Sequence, residues 1–183
     1  MLSNVNIDVL TVCTPNSMHS KNTIAAAQNG INVLAEKPMA IDINNANLML
    51  NACKENFVNL MIVLPFRNYK LLNLIKSKID NNSFGKIHLI NTNIFWTRPQ
   101  SHYDESPWRG TVKHDGGILL NQVIHYIDLL FYLFGKPSEI QAFNTKFRQI
   151  QTDDSSVINL KWSGSFIASI NITMLTYPSN LED

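Results

Sequence analysis

The chain has 183 residues, 45% of them apolar, and 15 Lys and Arg against 14 Asp and Glu give a net charge of +1. That balance excludes a disordered polyelectrolyte and lacks the electrostatic footprint of a nucleic-acid binder. No apolar run approaches the ~20 residues needed to cross a bilayer. The opening segment MLSNVNIDVL has no positive n-region or cleavage site, and two cysteines, Cys13 and Cys53, are too few for a disulfide framework or a zinc site. A cytoplasmic protein is the expectation.

The first third alternates strand and helix. Residues 7–13 (IDVLTVC) are rich in β-branched side chains and end in the turn Thr14-Pro15-Asn16-Ser17. A helix is predicted over 19–29, stopping at Asn29-Gly30. A second short strand covers 31–35 (INVLA), a helix opens at Ile41-Asp42 and runs to about Asn56, and a third strand covers 57–64 (FVNLMIVL). Strands separated by helices of 10 to 15 residues predict crossovers and a parallel sheet.

Beyond residue 64 the pattern changes. A helix is predicted over 71–79, a half-buried strand over 86–97, and a polar, aromatic loop over 98–115. Gly116-Gly117 then precedes a strongly apolar helix over 118–134, closed by Gly135-Lys136-Pro137. Three strand-like runs follow, at 139–147, 156–162 and 166–175, the last two joined by a tight Ser163-Gly164-Ser165 hairpin. Short links between consecutive strands predict an antiparallel sheet. The predicted boundary falls near residues 64–67, dividing the chain into residues 1–65 and 66–183.

None of the seven glycines forms the G-x-G-x-x-G turn with which a dinucleotide-binding half-sheet holds a pyrophosphate, and none lies before residue 30.

Three features carry chemistry. Ala35-Glu36-Lys37-Pro38 directly follows the second strand, where ligands of open α/β sheets bind; an exposed ion pair at a turn is the plainer alternative. Asn121, His125 and Asp128 are spaced four and three apart in the apolar helix, which aligns them on one side. Polar groups there are expensive to bury without partners. His125 is the natural acid–base candidate, because its ordinary titration lies near neutrality. Asp128 could orient the His125 ring or cap a backbone group. Finally, Trp96, Arg98, Tyr103, Trp108 and Arg109 cluster between sheet and helix, suiting sugar, phosphate or carboxylate recognition by stacking and bidentate bonds. Tryptophans gluing the loop to its own sheet explain them equally well. His19, His88, His102 and His114 have no metal-ligand spacing, so no metal site is expected.

The segments VLTVCTPNSMHS (9–20), GINVLAEKPMA (30–40), FGKI (84–87), WTRP (96–99), SPWRG (106–110) and DGGILLNQVIHYIDLLFYLFG (115–135) stand in one order along almost the whole chain. Together they resemble the Gfo/Idh/MocA family of NAD(P)-dependent oxidoreductases. The resemblance implies an α/β fold: the C-terminal half of a Rossmann parallel sheet, then an α+β domain with a large, mostly antiparallel open sheet that binds substrate and forms a homo-oligomer.

The resemblance also implies roles at matching positions. Lys37 matches the E-K-P lysine, which contacts substrate and transfers protons, and His125 matches the histidine of the helix motif. Asn121 stands where many members have an aspartate; an amide cannot take up the proton, so it would orient substrate. Pro15, Asn16 and His19 fall in a turn that in relatives lies beside the nicotinamide and ribose, and Glu36 is the acidic residue next to Lys37. The stretch around Arg67 departs from the usual spacing and receives no role. Asn121 with W-R-G and D-G-G is most similar to members that oxidise nucleotide-linked sugars, the UDP-N-acetylglucosamine-uronate 3-dehydrogenase branch among them.

The expected activity is therefore hydride transfer from a sugar hydroxyl carbon to NAD or NADP, with Lys37 and His125 handling the hydroxyl proton. Relative to the family, the chain is expected to be an interior fragment without the pyrophosphate turn, binding NAD(H) weakly alone. The alternative is a non-catalytic oligomerisation module. Neither a nucleic-acid nor a membrane partner is expected.

Overall fold

In the computed structural model, residues 6–164 and 166–181 are described. Ser165 of the predicted hairpin lies outside them. The chain divides into two units, Met1–Val63 with Thr111–Ile124, and Leu64–Gly110 with His125–Asp183.

The first unit is built on β1 (Val9–Val12), α1 (His19–Ala27), β2 (Asn32–Ala35), α2 (Ile43–Glu55) and β3 (Leu60–Ile62). The strands pair in the order β1-β2-β3, both pairs parallel, with Val12 opposite Ala35 and Ala35 opposite Ile62. β2 is central, and its side chains alternate between half-buried (Asn32, Leu34) and buried (Val33, Ala35). Val33 and Ala35 have no exposed surface and form a core with Val12, Ala26 and Ile31. Ala27 packs with Ala52 and Cys53 of α2. The α2 start is capped by the Asp42 carboxylate, which accepts from the Asn45 N–H at 2.8 Å and is thereby held below its ordinary carboxylate value. Parallel pairing brings the carboxyl ends of the strands, and the turns that leave them, to a single edge.

The second unit contains α3 (Lys70–Asp80), β4 (Leu89–Phe95), a short helix α4 (Gln100–Asp104) inside the predicted loop, and, beyond α5 of the first unit (Ile118–Asn121), α6 (Ile124–Phe134), β5 (Glu139–Thr145), β6 (Ser155–Lys161) and β7 (Ile167–Thr173). The sheet order is β4-β7-β6-β5. β5 with β6 and β6 with β7 are antiparallel, as their short links require, while β4 lies parallel to β7. Alternation sets its faces. Ile94, Ile158, Leu160, Ala168, Ile170 and Ile172 are buried. The opposite face carries Asn91, Asn93, Ser169 and Asn171, joined by side-chain hydrogen bonds of 2.9–3.3 Å. α6 ends on the sheet through Phe134, which packs edge-on against Trp162 and Phe166, while Trp162 Nε1 donates to the Gly135 carbonyl at 3.1 Å.

One expectation is corrected. The apolar run predicted as one helix over 118–134 is two, α5 and α6. Val123 N–H bonds back five residues to the Ile118 carbonyl at 2.9 Å, alongside Gln122 N–H at 3.0 Å. That overwide turn breaks the ladder, so spacing along one ideal helix does not align Asn121 with His125 and Asp128.

Candidate functional site

In the first unit the site grows from the turns leaving β1 and β2. Pro15 is exposed and opens a 3-10 turn over Asn16–Met18. Asn16 is buried, and its Nδ2 donates to the Asp115 carbonyl at 2.7 Å. The next residue binds the same returning segment: Ser17 N–H donates to the His114 carbonyl at 3.3 Å, and Ser17 Oγ lies 2.9 Å from His114 Nδ1. The segment starting at Thr111 is thus fastened to the strand-end turn. Gly117 then starts α5 at φ 91°, a conformation costly for any side chain.

His19 has no exposed surface. Its Nδ1 lies 2.7 Å from the Pro38 carbonyl oxygen and its Nε2 2.8 Å from that of Thr14. Carbonyls only accept, so the ring donates to one of them when neutral and to both when both nitrogens are protonated. The imidazole ties the turn after β1 to the turn after β2, which carries Glu36 and Lys37. The Glu36 N–H bonds the Val12 carbonyl at 3.0 Å and its Oε2 accepts from the Lys37 N–H at 3.3 Å.

Lys37 is half-buried, and its Nζ donates to the main-chain oxygen of Asn121 and, at 3.2 Å, to Asn121 Oδ1. The other end of that amide, Nδ2, donates to the carboxylate of buried Asp115. Burial pushes the Lys37 ammonium below the ordinary lysine value, against the opposing attraction of Glu36 and Asp115. The structure therefore joins Lys37, Asn121 and Asp115 in one hydrogen-bonded chain beside Asn16. A lysine in such surroundings can hold a substrate oxygen and exchange a proton with it.

In the second unit, the His125 ring lies 5.6 Å from Phe66, in the 3-10 turn over Pro65–Asn68. Phe66 also meets Tyr126 edge-on, and Tyr126 meets Trp96, over which the Arg98 guanidinium sits at 5.3 Å. Among the predicted recognition residues, Trp96 and Arg98 thus stand in one aromatic row with His125. Arg109 instead braces its own loop, donating to the His102 carbonyl at 2.8 Å and pairing with Glu105 at 3.2 Å. Tyr103 is buried, and Trp108 is half-buried. Burial, reinforced by Arg109 and Arg98, pushes His102 below its ordinary value. Asp128 accepts from Arg67 with both oxygens.

Asp115 and the Ser17–His114 contact received no role from sequence. Their one signal is D-G-G, an acid set before two glycines that let the chain turn into a helix. Among the described residues no group of three or more His, Cys, Asp or Glu could hold a metal ion, and no helix is long and apolar enough to cross a membrane.

Two family models match successive parts of the chain. Residues 1–63 match the oxidoreductase family model described as an NAD-binding Rossmann fold, and residues 72–182 match the GFO/IDH/MocA C-terminal domain. The WlbA dehydrogenase from Bordetella pertussis, crystallised with NADH and UDP-GlcNAcA, superposes with a TM-score of 0.95 at 41% identity, over 99% of this chain and 53% of that one. The WlbA dehydrogenase from Chromobacterium violaceum, in complex with the same ligands, gives 0.94 at 37% identity, again over 99% and 53%. Glucose-6-phosphate 3-dehydrogenase of Bacillus subtilis is 32% identical over 127 residues, 68% of this chain and 36% of that relative. The chain spans between 36% and 50% of the length of the curated relatives it matches. With both segments matched in order, the chain belongs to the Gfo/Idh/MocA family of oxidoreductases.

Proposed function

We propose that the chain carries the hydroxyl-handling part of an NAD(P)-dependent dehydrogenase acting on a sugar, most specifically a nucleotide-linked sugar. The observation that carries this reading is Lys37. It sits just past the carboxyl end of a central parallel strand, anchored on Asn121, with burial pushing its ammonium below the ordinary lysine value. Complexes of the two WlbA dehydrogenases with UDP-GlcNAcA support the nucleotide-sugar assignment.

The residues present fit the nicotinamide–ribose end of a dinucleotide: Pro15 is exposed at the edge where Asn16, Glu36 and Lys37 also gather. They do not include a glycine turn for the pyrophosphate, since none of the seven glycines forms that motif. When bound, the cofactor supplies the hydride acceptor. The chain's own task is to hold the substrate hydroxyl and receive its proton. Lys37 holds the oxygen by hydrogen bonding, and Lys37 or His125 takes the proton. Asn121 orients rather than accepts, being an amide. His19, with its ring enclosed, acts by tying the two turns together. Residues 1–65 form the nucleotide-binding portion and 66–183 the portion for substrate binding and self-association, with Trp96 and Arg98 receiving the polar end of the substrate.

The test is turnover, followed as NADH formation, with UDP-N-acetylglucosaminuronic acid, glucose 6-phosphate and myo-inositol, together with calorimetric titration of NAD+ and NADH. Slow oxidation of the nucleotide sugar, abolished by Lys37→Ala and by His125→Ala, with weak binding of NAD+ and NADH, is the expected result. Activity indifferent to both substitutions would overturn the assignment of roles.

A second reading, a self-associating module, is favoured by the open sheet, where β5 is exposed at every position and Leu89, Phe143, Val157 and Ile167 face outward. Sedimentation shows an oligomer under this reading, unchanged by the two substitutions.

A further inference from the structure

We propose that Asp115 is a positioning residue for Lys37, acting through the Asn121 amide. An amide has two ends of similar shape and opposite chemistry, a donor NH2 and an acceptor oxygen, and a half-turn about its bond exchanges them. At position 121 only one orientation is useful, with oxygen toward the ammonium. A carboxylate only accepts, so Asp115 forces the NH2 end toward itself and leaves Oδ1 facing Lys37. The chain of bonds has a fixed polarity: ammonium donates to amide oxygen, and amide nitrogen donates to carboxylate.

Asp115 is itself immobilised. It is 4% exposed, its N–H bonds the Thr111 carbonyl at 3.1 Å, and its carbonyl accepts from Asn16 Nδ2 at 2.7 Å. A buried carboxylate is costly unless it is bonded and faces positive charge, and here Asn121 supplies the bond and Lys37 the charge. Attraction by Asp115 also opposes the effect of burial on Lys37. Without that carboxylate, the amide loses its anchor and the ammonium loses a counter-charge, while the fold around Thr111–Gly117 keeps its backbone bonds. The inference deepens the reading of Lys37 given above and rests on it for its relevance to catalysis.

The experiment follows the Lys37 side-chain carbon next to nitrogen by NMR against pH in the full chain labelled on lysine, assigned with Lys37→Arg. In Asp115→Asn, Lys37 titrates at lower pH than in the wild type, and in an Asn121→Leu background the same change moves it less, because only the direct attraction between the two charges is left to lose. Equal displacement in both backgrounds, or none in either, overturns the proposal. Asp115→Ser carries the same comparison if the Asn variant does not fold. No cofactor or sugar is needed. A chain inert toward every sugar therefore leaves the result standing, and a failed coupling leaves the assignment of Lys37 standing.

Discussion

Arg67 grips Asp128 with a two-pronged hydrogen bond, Nε to Oδ2 at 2.8 Å and a terminal nitrogen to Oδ1 at 2.5 Å. The pair fastens the 3-10 turn at Pro65–Asn68 to α6, one helical turn beyond His125. Phe66, next in sequence, presses on the His125 ring, so the two contacts together fix both the height and the rotation of α6. Arg67 is 47% exposed and Asp128 13%, so water screens part of the attraction. Arg67→Lys keeps the charge and loses the fork, and is expected to lower stability by about 1 kcal/mol. Urea unfolding of Arg67→Lys, Asp128→Asn and the double variant should give non-additive losses. Additive losses would show that the fork contributes nothing beyond its two ends.

His19 offers a larger effect, because its ring has no exposed surface. A leucine at 19 fills a similar volume but strands the Thr14 and Pro38 carbonyls, each of which now meets a ring nitrogen within 2.8 Å. The Pro38 carbonyl is buried whereas exposed Thr14 can turn its carbonyl to water, and an unmet buried acceptor costs about 1–3 kcal/mol, so His19→Leu is expected to lose about 1–3 kcal/mol of stability. Thermal unfolding by circular dichroism measures it, and a melting point unchanged from wild type would contradict the strut.

Gly110 closes the aromatic loop in a conformation and a space that do not admit a side chain. Its φ is +66°, its carbonyl accepts from the N–H groups of Gln151 and Thr152, and a Cβ built there would stand 2.8 Å from Ile150 Cγ2 and 3.1 Å from Tyr103 Cδ1. Gly110→Ala is therefore expected to cost about 2–4 kcal/mol, part from overlap and part from the left-handed backbone. Adding Ile150→Gly removes the overlap with that side chain, both Cγ2 at 2.8 Å and Cβ at 2.9 Å, so against Ile150→Gly alone the change at 110 keeps the 3.1 Å approach to Tyr103 and the backbone part, about 1 kcal/mol. Calorimetric melting of the single and double variants separates the two.

These contacts mark where the sequence was readable and where it was not. β1, β2 and β3 are legible as short apolar runs between helices, although only β2 has two fully buried side chains, and Lys37 stands out because it follows one of them directly. The break between α5 and α6 was hidden, since ILLNQVIHYIDLLF contains neither glycine nor proline and its apolar pattern runs on without interruption. The Lys37–Asn121–Asp115 chain was hidden for another reason. It joins residues 84 positions apart, and only the return of Thr111–Ile124 to the first unit brings them together. Arg67, given no role from its spacing, finds its meaning in a partner 61 residues away. Local propensity writes elements into a sequence, but pairings at that separation are decided by packing.

The Lys37 ammonium makes stability depend on pH in a direction opposite to that of a paired lysine. Burial lowers its folded titration below the unfolded value, with Glu36 and Asp115 only partly restoring it. Below the folded value both states are protonated, and the native state bears the full cost of holding a desolvated charge. Between the folded and unfolded values the unfolded chain binds more protons than the native one, so stability rises with pH across that alkaline window. Above the unfolded value both states are neutral and the dependence ends. Other lysines and tyrosines titrate in the same range, so the measurable quantity is a difference: unfolding free energy of wild type minus that of Lys37→Met, each from urea titrations at several alkaline pH values. The difference should move in favour of wild type as pH rises toward the ordinary lysine value. Movement in the opposite sense would mean that the attraction of Glu36 and Asp115 outweighs burial, and that Lys37 is a structural cation rather than a group poised to exchange a proton.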